Sequence, residues 1–172
     1  MKRKLLLGIL AVTLCLNGCS SNIRDGVALL EDGKYEEAIS AFQLEIAEDK
    51  NLDEANRGMG IAYYELENYT EAVNYFSEAL TQGAEETASL HQLMATSYMQ
   101  MEDYENAVAH YDLVLGMEDC TEEMKQEALF NRVVAFEKMS DWDSAREAVQ
   151  TYLQIYPEDE RAIKESDFLK TR

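Results

Sequence analysis

The chain has 172 residues, 47% of them hydrophobic, which is enough for one body with its own core. Its 15 basic and 34 acidic residues give a formal net charge of -19. That balance excludes nucleic acid as a partner, because a phosphate backbone is held by clustered Lys and Arg.

Residues 1–18 differ in kind from the rest. "MKRK" is a basic opening, "LLLGILAVTLCLNG" is an apolar run too short to span a bilayer comfortably, and Cys19 follows at once. This pattern reads as a secretory signal. The stretch "LNGC", Leu16 to Cys19, resembles the lipobox of bacterial lipoproteins, in which a signal peptidase cuts before the cysteine and the thiol carries a diacylglycerol. The resemblance implies a removed segment 1–18, a lipid on Cys19, a short tether over 19–22 and an anchored, extracytoplasmic place on a cell membrane or outer membrane. The other reading is an ordinary signal peptide that contains cysteines. With Cys15 removed and Cys19 acylated, Cys120 is alone in the mature chain, so no internal disulfide forms and the fold rests on packing. Residues 1–18 carry three basic residues, Lys2, Arg3 and Lys4, and no acid, so the mature part holds 12 basic against 34 acidic residues, or -22. Between Arg57 and Lys125 there is no Lys or Arg, while 14 acids fall in positions 58–124.

Beyond the signal one phrase recurs: "GKYEEAISAF" at 33–42, "ENYTEAVNYF" at 67–76, "EDYENAVAHY" at 102–111 and, more weakly, "SDWDSAREAV" at 140–149. Aligned on Tyr35, Tyr69, Tyr104 and Trp142, the phrases are 34, 35 and 38 residues apart, the signature of a stacked repeat. Ala38, Ala72, Ala107 and Ala145 follow each aromatic at the same distance; Gly26, Gly60, Ala95 and Val133 precede it; Phe42, Phe76, Tyr111 and Val149 come seven residues after it. Apolar residues at three- and four-residue intervals predict helices over 20–32, 36–49, 53–66, 70–82, 86–101, 104–116, 122–139 and 142–156, paired antiparallel within each unit. Gly33, Asn68, Asp103 and Asp141 are expected to precede the second helix of each unit, and Glu71 completes a capping-box pattern with Asn68. After Pro157, residues 158–172 are expected to form a polar capping helix, with acids in its first turn and Lys170 and Arg172 at its end.

The period, the small residues at Gly26, Gly60 and Ala95, the alanines at 38, 72, 107 and 145, and Pro157 twelve residues after Ala145 resemble the tetratricopeptide repeat. The resemblance covers about residues 20–170. It implies an all-α, right-handed solenoid of about four helix-turn-helix units (20–50, 53–83, 86–117 and 122–157) plus the capping helix, and a role in binding protein. The family's frequent early tryptophan is replaced by Asn22, Asn56, His91 and Leu129.

No catalytic constellation stands out. His91 and His110 fall on different helices at packing or edge positions, and no phosphate loop or nucleophile elbow is present. The acid pairs Glu85–Glu86 and Glu122–Glu123 imitate hydrolase carboxylates but suit helix first turns, where the dipole favours them. The acids around Cys120 should raise its thiol pKa. Met94, Met99, Met101, Met117, Met124 and Met139 read as gap-filling core. We expect no metal, no cofactor, no small-molecule substrate and no enzymatic activity. In a solenoid the first helix of each unit lines a concave surface. Counted by turns, the lining is Ile23, Val27 and Leu30; Arg57, Ile61 and Tyr64; Gln92, Thr96 and Met99; and Phe130, Val134 and Glu137, with Asn131 beside them. The expected partner is a protein or peptide segment, apolar with basic residues, and the expected role is a membrane-anchored scaffold or adaptor. An assembly factor for outer-membrane or pilus components is the alternative within that class, and an envelope hydrolase that uses the paired acids is the alternative from a different one. The acidic block is either a solvated face or a steering field for a basic partner.

Overall fold

The computed structural model describes residues 21–172; the expected signal segment and the Cys19 lipidation site lie outside the described residues. Among the described residues there are nine helices and no strand. They are α1 (Ser21–Glu31), α2 (Tyr35–Ala47), α3 (Leu52–Glu65), α4 (Tyr69–Thr81), α5 (Ala88–Gln100), α6 (Tyr104–Gly116), α7 (Glu122–Lys138), α8 (Trp142–Ile155) and α9 (Glu160–Leu169). Each helix packs on the next, and α3 and α7 also meet the first helix of the preceding unit, α1 and α5. The result is the all-α solenoid of four helical hairpins that the repeat predicts, with α9 lying against α8 at the end.

The turn inside each hairpin is built the same way four times. Gly33, Glu67, Glu102 and Ser140 adopt positive φ of 73°, 59°, 61° and 59°. The next residue's N–H reaches back five residues: Lys34 to the Leu29 carbonyl, Asn68 to Tyr63, Asp103 to Tyr98 and Asp141 to Phe136, at 2.8–2.9 Å. This closes the first helix with a left-handed residue. The same residue then caps the second helix. Asn68, Asp103 and Asp141 accept the N–H groups of Glu71, Asn106 and Ser144 at 3.5, 3.3 and 3.2 Å. In the first hairpin the capping residue is Lys34, which makes no such bond. Gly33, expected with the caps, therefore belongs one position earlier, with Glu67, Glu102 and Ser140, because it is the residue that takes the left-handed conformation.

The core runs as four clusters between successive units. Ala38, Ala72, Ala107 and Ala145 are fully buried, as are Phe42 and Phe76, and Tyr111 is 1% exposed. A Cβ on Gly26 or Gly58 would strike the Phe42 ring, and one on Gly60 would strike Phe76. Gly58 was not among the expected packing residues; it lies two residues before Gly60, and its neighbour belongs to the preceding unit. Tyr35, Tyr69, Tyr104 and Trp142 are half-buried. Tyr35 does cross the seam to the next unit, its hydroxyl donating to Glu65 Oε2 at 3.2 Å, whereas Tyr69 meets Tyr64 of its own unit edge to face at 5.9 Å.

At three of the four positions that depart from the resemblance, Asn22, Asn56 and His91, the side chain makes polar bonds. Asn22 Nδ2 donates to Glu45 Oε1 at 2.8 Å, and Asn51 Nδ2 reaches Glu45 Oε2 at 2.9 Å. Those amides satisfy a carboxylate that is fully buried. Asn56 donates to the Leu52 carbonyl at 2.7 Å, while Leu129 joins the core. The loop before α7 is structural as well. Both carboxylate oxygens of Asp119 accept the Ala88 N–H at 3.1 Å and so close the start of α5 from the neighbouring unit. At the far end, the Tyr152 hydroxyl donates to Asp159 Oδ2 at 2.6 Å, and Gln126 Nε2 bonds the same hydroxyl at 3.0 Å. Burial in this network opposes, and the Arg161 and Tyr152 bonds outweigh, so the Asp159 carboxyl sits well below the usual range.

Candidate partner-binding groove

The first helices α1, α3, α5 and α7 place the predicted groove residues side by side. Val27, Leu30, Arg57, Ile61, Tyr64, Gln92, Thr96, Met99, Phe130, Asn131, Val134 and Glu137 are all half-buried, so each keeps part of its surface against neighbours and part toward solvent. Ile23 departs from the expectation. It is 1% exposed and packs with Ala38, Phe42, Ala55 and Met59, because α1 meets both α2 and α3 and Ile23 lies in that contact.

Polar groups knit the middle of this surface. Gln92 on α5 extends Nε2 to Glu127 Oε2 on α7 at 2.7 Å. Asn131 Nδ2 donates to the Tyr111 hydroxyl at 3.1 Å, and the Thr96 hydroxyl bonds the same oxygen. Asn131 and Thr96 are thereby committed in part to holding Tyr111 beneath the floor. Burial, then the neighbouring Tyr69, Glu65, Glu127 and Tyr111, push the Tyr64 hydroxyl up to about 12, so it is a neutral donor at any physiological pH. Glu127 was not among the expected lining residues. It stands one turn before Phe130, and extending the same count by a turn would have found it.

The last unit ends differently. Phe130 meets Tyr152 edge to face at 5.6 Å, and the Arg161 guanidinium of α9 lies over the Phe130 ring at 4.7 Å while pairing with Asp159 at 3.0 Å. Glu137 faces Glu165 of α9; burial first, then that carboxylate's hydrogen bond and charge, push it up to about 7.

Away from the groove, α5 and α6 bring together the histidines that the sequence placed on separate helices. His91, 2% exposed, has Nδ1 2.9 Å from His110 Nδ1 and Nε2 2.7 Å from Glu86 Oε1. Glu86 fixes the proton on His91 Nε2, so His110 Nδ1 donates to His91 Nδ1 when both rings are neutral. Tyr98 stacks on His110 at 5.3 Å. Burial first and His91 second push His110 down to about 4. Of the acid pairs, Glu86 is thus engaged with His91, and Glu122 Oε1 accepts the Tyr156 hydroxyl at 2.6 Å. Cys120 is half-buried with Met117 and Met124 against the core; burial, ahead of Asp119, pushes its thiol up. Met94 is buried in the cluster of Ala72, Phe76 and Leu90, Met99 packs with Met117 and Met124, and Met101 is exposed. Among the described residues no group of three or more His, Cys, Asp or Glu is placed to hold a metal ion, and no helix is long and apolar enough to cross a membrane.

Residues 29–97 match one family model described as a tetratricopeptide repeat, and residues 93–160 match a second with the same description. Among solved structures, YrrB, described as a TPR protein with an unusual peptide-binding site, is similar at 20% identity and a TM-score of 0.73, over 87% of this chain and 75% of that one. MamA of Desulfovibrio magneticus RS-1, from residue 41 onward, is similar at 19% identity and a TM-score of 0.71, over 89% and 86%. The TPR domain of Arabidopsis OM64 is similar at 18% identity and a TM-score of 0.55, over 70% and 95%. No curated protein matches the chain significantly.

Proposed function

Because the chain belongs to the tetratricopeptide repeat family, we propose that it is a non-catalytic scaffold that holds a segment of a partner protein in the concave groove of α1, α3, α5 and α7, tethered to the outside of a membrane by a lipid on Cys19. The observation that carries this reading is the groove itself. Its packing positions repeat from unit to unit, whereas its half-buried lining changes from Arg57, Ile61 and Tyr64 to Gln92, Thr96 and Met99 to Phe130 and Val134. A surface that varies on a frame that repeats is built for recognition of one partner and not for packing. The peptide-binding site of YrrB, a protein of the same fold, supports it.

Charge supports a basic partner. The net charge and the absence of Lys and Arg between Arg57 and Lys125 give the middle units a negative field that steers cations toward them. A lipid on Cys19 would keep the first unit at the membrane, since α1 begins at Ser21 and the intervening chain reaches only ~7–10 Å when extended. The groove would then open beside the bilayer, with α9 pointing away from it.

The test is an affinity capture with the full chain in detergent, run at low and at high salt and repeated with Tyr64→Ala/Met99→Ala. A partner retained by the parent, weakened by salt and lost on the double substitution is the expected result. Retention by the double variant would move the binding surface off the groove. Separately, fractionation of Cys19→Ser should release the chain from membranes; a variant that stays membrane-bound would remove the lipid anchor.

A further inference from the structure

We infer that the third hairpin, α5 with α6, opens in acid, because a buried histidine pair holds it shut only while one of the two facing ring nitrogens carries no proton. The second and third hairpins differ at this point alone in an otherwise shared stack. Tyr63 and Tyr98 stand six residues before the turn aromatics Tyr69 and Tyr104, and Tyr75 and His110 stand six residues after them. In the second hairpin Tyr63 stacks on Tyr75 with ring centres 5.3 Å apart; in the third Tyr98 stacks on His110, also at 5.3 Å. The third hairpin thus keeps the stack and gives it a ring that takes a proton near neutral pH when exposed. Against that ring it sets His91, where the second hairpin has Asn56. His91 is 2% exposed, and its Nδ1 lies 2.9 Å from His110 Nδ1.

Glu86 accepts the His91 Nε2–H at 2.7 Å, so His91 Nδ1 accepts in the bridge and His110 Nδ1–H donates. One proton is tolerated, because it can enter at His110 Nε2, away from the bridge. A second must enter at His91 Nδ1. Two N–H groups then face each other across 2.9 Å beside a ring shut off from water, and the attraction becomes a repulsion. The surrounding helices do not offset it. From α4 the contact with α5 is apolar, Val73 and Phe76 against Leu90 and Met94. From α7 the charged groups reach other partners: Arg132 pairs with Asp112 at 2.8 Å, and Glu127 with Gln92 at 2.7 Å. On α6, Asp103 is turned to the Asn106 N–H at the helix start. Among the described residues Glu86 is the carboxylate in contact with the pair, and it meets His91 on the side away from the bridge. Parting α5 from α6 lets both rings reach water and take their protons. Because α5 carries Gln92, Thr96 and Met99, acid would also take apart the middle of the groove; that consequence rests on the groove reading above, and the opening itself does not.

The test is amide hydrogen exchange by mass spectrometry on the full chain in detergent at pH 7, 6 and 5, with protection taken against the intrinsic exchange rate at each pH. Burial first and His91 second hold His110 down to about 4 against 6.5 when open, so an opening that frees it is favoured roughly 20-fold more at pH 5 than at pH 7. Protection in α5 and α6 should fall by that factor while α3, α4 and α8 keep theirs. His110→Tyr, which gives the third hairpin the ring pair of the second, should abolish the fall. Glu86→Gln keeps an acceptor for His91 and removes the charge that favours a proton on the closed pair, so its opening should begin at a higher pH than in the parent. An even loss of protection from α3 to α8, or an α5 and α6 as firm at pH 5 as at pH 7, would overturn the inference, and so would a fall that persists unchanged in His110→Tyr. If His110→Tyr does not fold, the parent and Glu86→Gln decide: an opening in Glu86→Gln that begins at the same pH or lower sinks the proposal. None of these outcomes touches the groove reading, which the affinity capture tests at pH 7.

Discussion

At the scale of single residues, the fold depends on rings pressed against bare backbone. Phe42 lies between Gly26 of α1 and Gly58 of α3, so that one ring locks the first unit to the second. Helix propensity alone would favour Gly58→Ala by about 1 kcal/mol. Overpacking a fully buried ring costs more, typically about 1–3 kcal/mol, so the variant should be less stable and its urea midpoint should fall; a higher midpoint would show that the ring has room to move. Two titrating side chains pull stability in opposite directions. His110 titrates at about 4 when folded against 6.5 ordinarily, so the unfolded chain takes that proton first; its contribution is intact above 6.5 and drains as pH falls toward 4. Glu137 titrates at about 7 against 4.5, so the folded chain takes that proton first; its cost is full above 7 and disappears as pH falls below 4.5. Between these limits the two offset each other. Glu137→Gln should therefore stabilise the protein at about pH 8, on the order of 1 kcal/mol, and have no effect near pH 4. His110→Gln should unmask a rise in stability on acidification from about pH 7 to pH 5, read by urea melts at each pH; a flat or falling profile would contradict the assignment. Neither residue was legible as titrating in the sequence, because burial and the facing groups, His91 and Glu165, arise only when helices meet.

At the scale of elements, the two-residue turn does double service. Its second residue ends one helix and caps the next, which explains why Asn68, Asp103 and Asp141 recur there. Lys34 has the same backbone, φ -96° and ψ 66° against -92° and 73° at Asn68, without a side chain that can accept. Lys34→Asn should supply the missing cap and stabilise α2 by about 1 kcal/mol. The ion pair given up, Lys34 with Asp32 at 2.9 Å, is exposed at both ends and is worth little. Thermal denaturation checks this, and an unchanged or lower Tm would mean that the cap geometry is not equivalent. Helix ends were mostly legible, within one or two residues, from periodicity and capping chemistry. The role of the 116–124 loop was not, because Asp119 acts on α5, and that contact lies 31 residues away in the chain.

At the scale of the molecule, a solenoid distributes its stability along its length, and end units have one neighbour where inner units have two. The C-terminal end is closed by α9 and by the Tyr152, Gln126 and Asp159 network. Among the described residues the N-terminal side is formed by α1, in which Ile23 and Gly26 are the buried residues. Amide hydrogen exchange should find α1 the least protected of the helices and α3 to α8 the most; protection of α1 equal to that of α4 would refute the gradient. A frayed first unit beside a membrane and firm later units would suit a scaffold whose recognition is concentrated around α5 and α7.

The sequence by itself determined the family, the all-α solenoid, the number of hairpins and nearly every repeated packing residue. Those features are periodic, and a period of one helical hairpin can be read without knowing what touches what. Only the tertiary structure decided that Glu45 is buried and held by two amides, that His91 and His110 face each other, that Ile23 belongs to the core, and that Glu127 reaches Gln92 across two units. These are contacts between units, set by how one hairpin is rotated on the next, and nothing in the spacing of residues within a unit specifies that rotation.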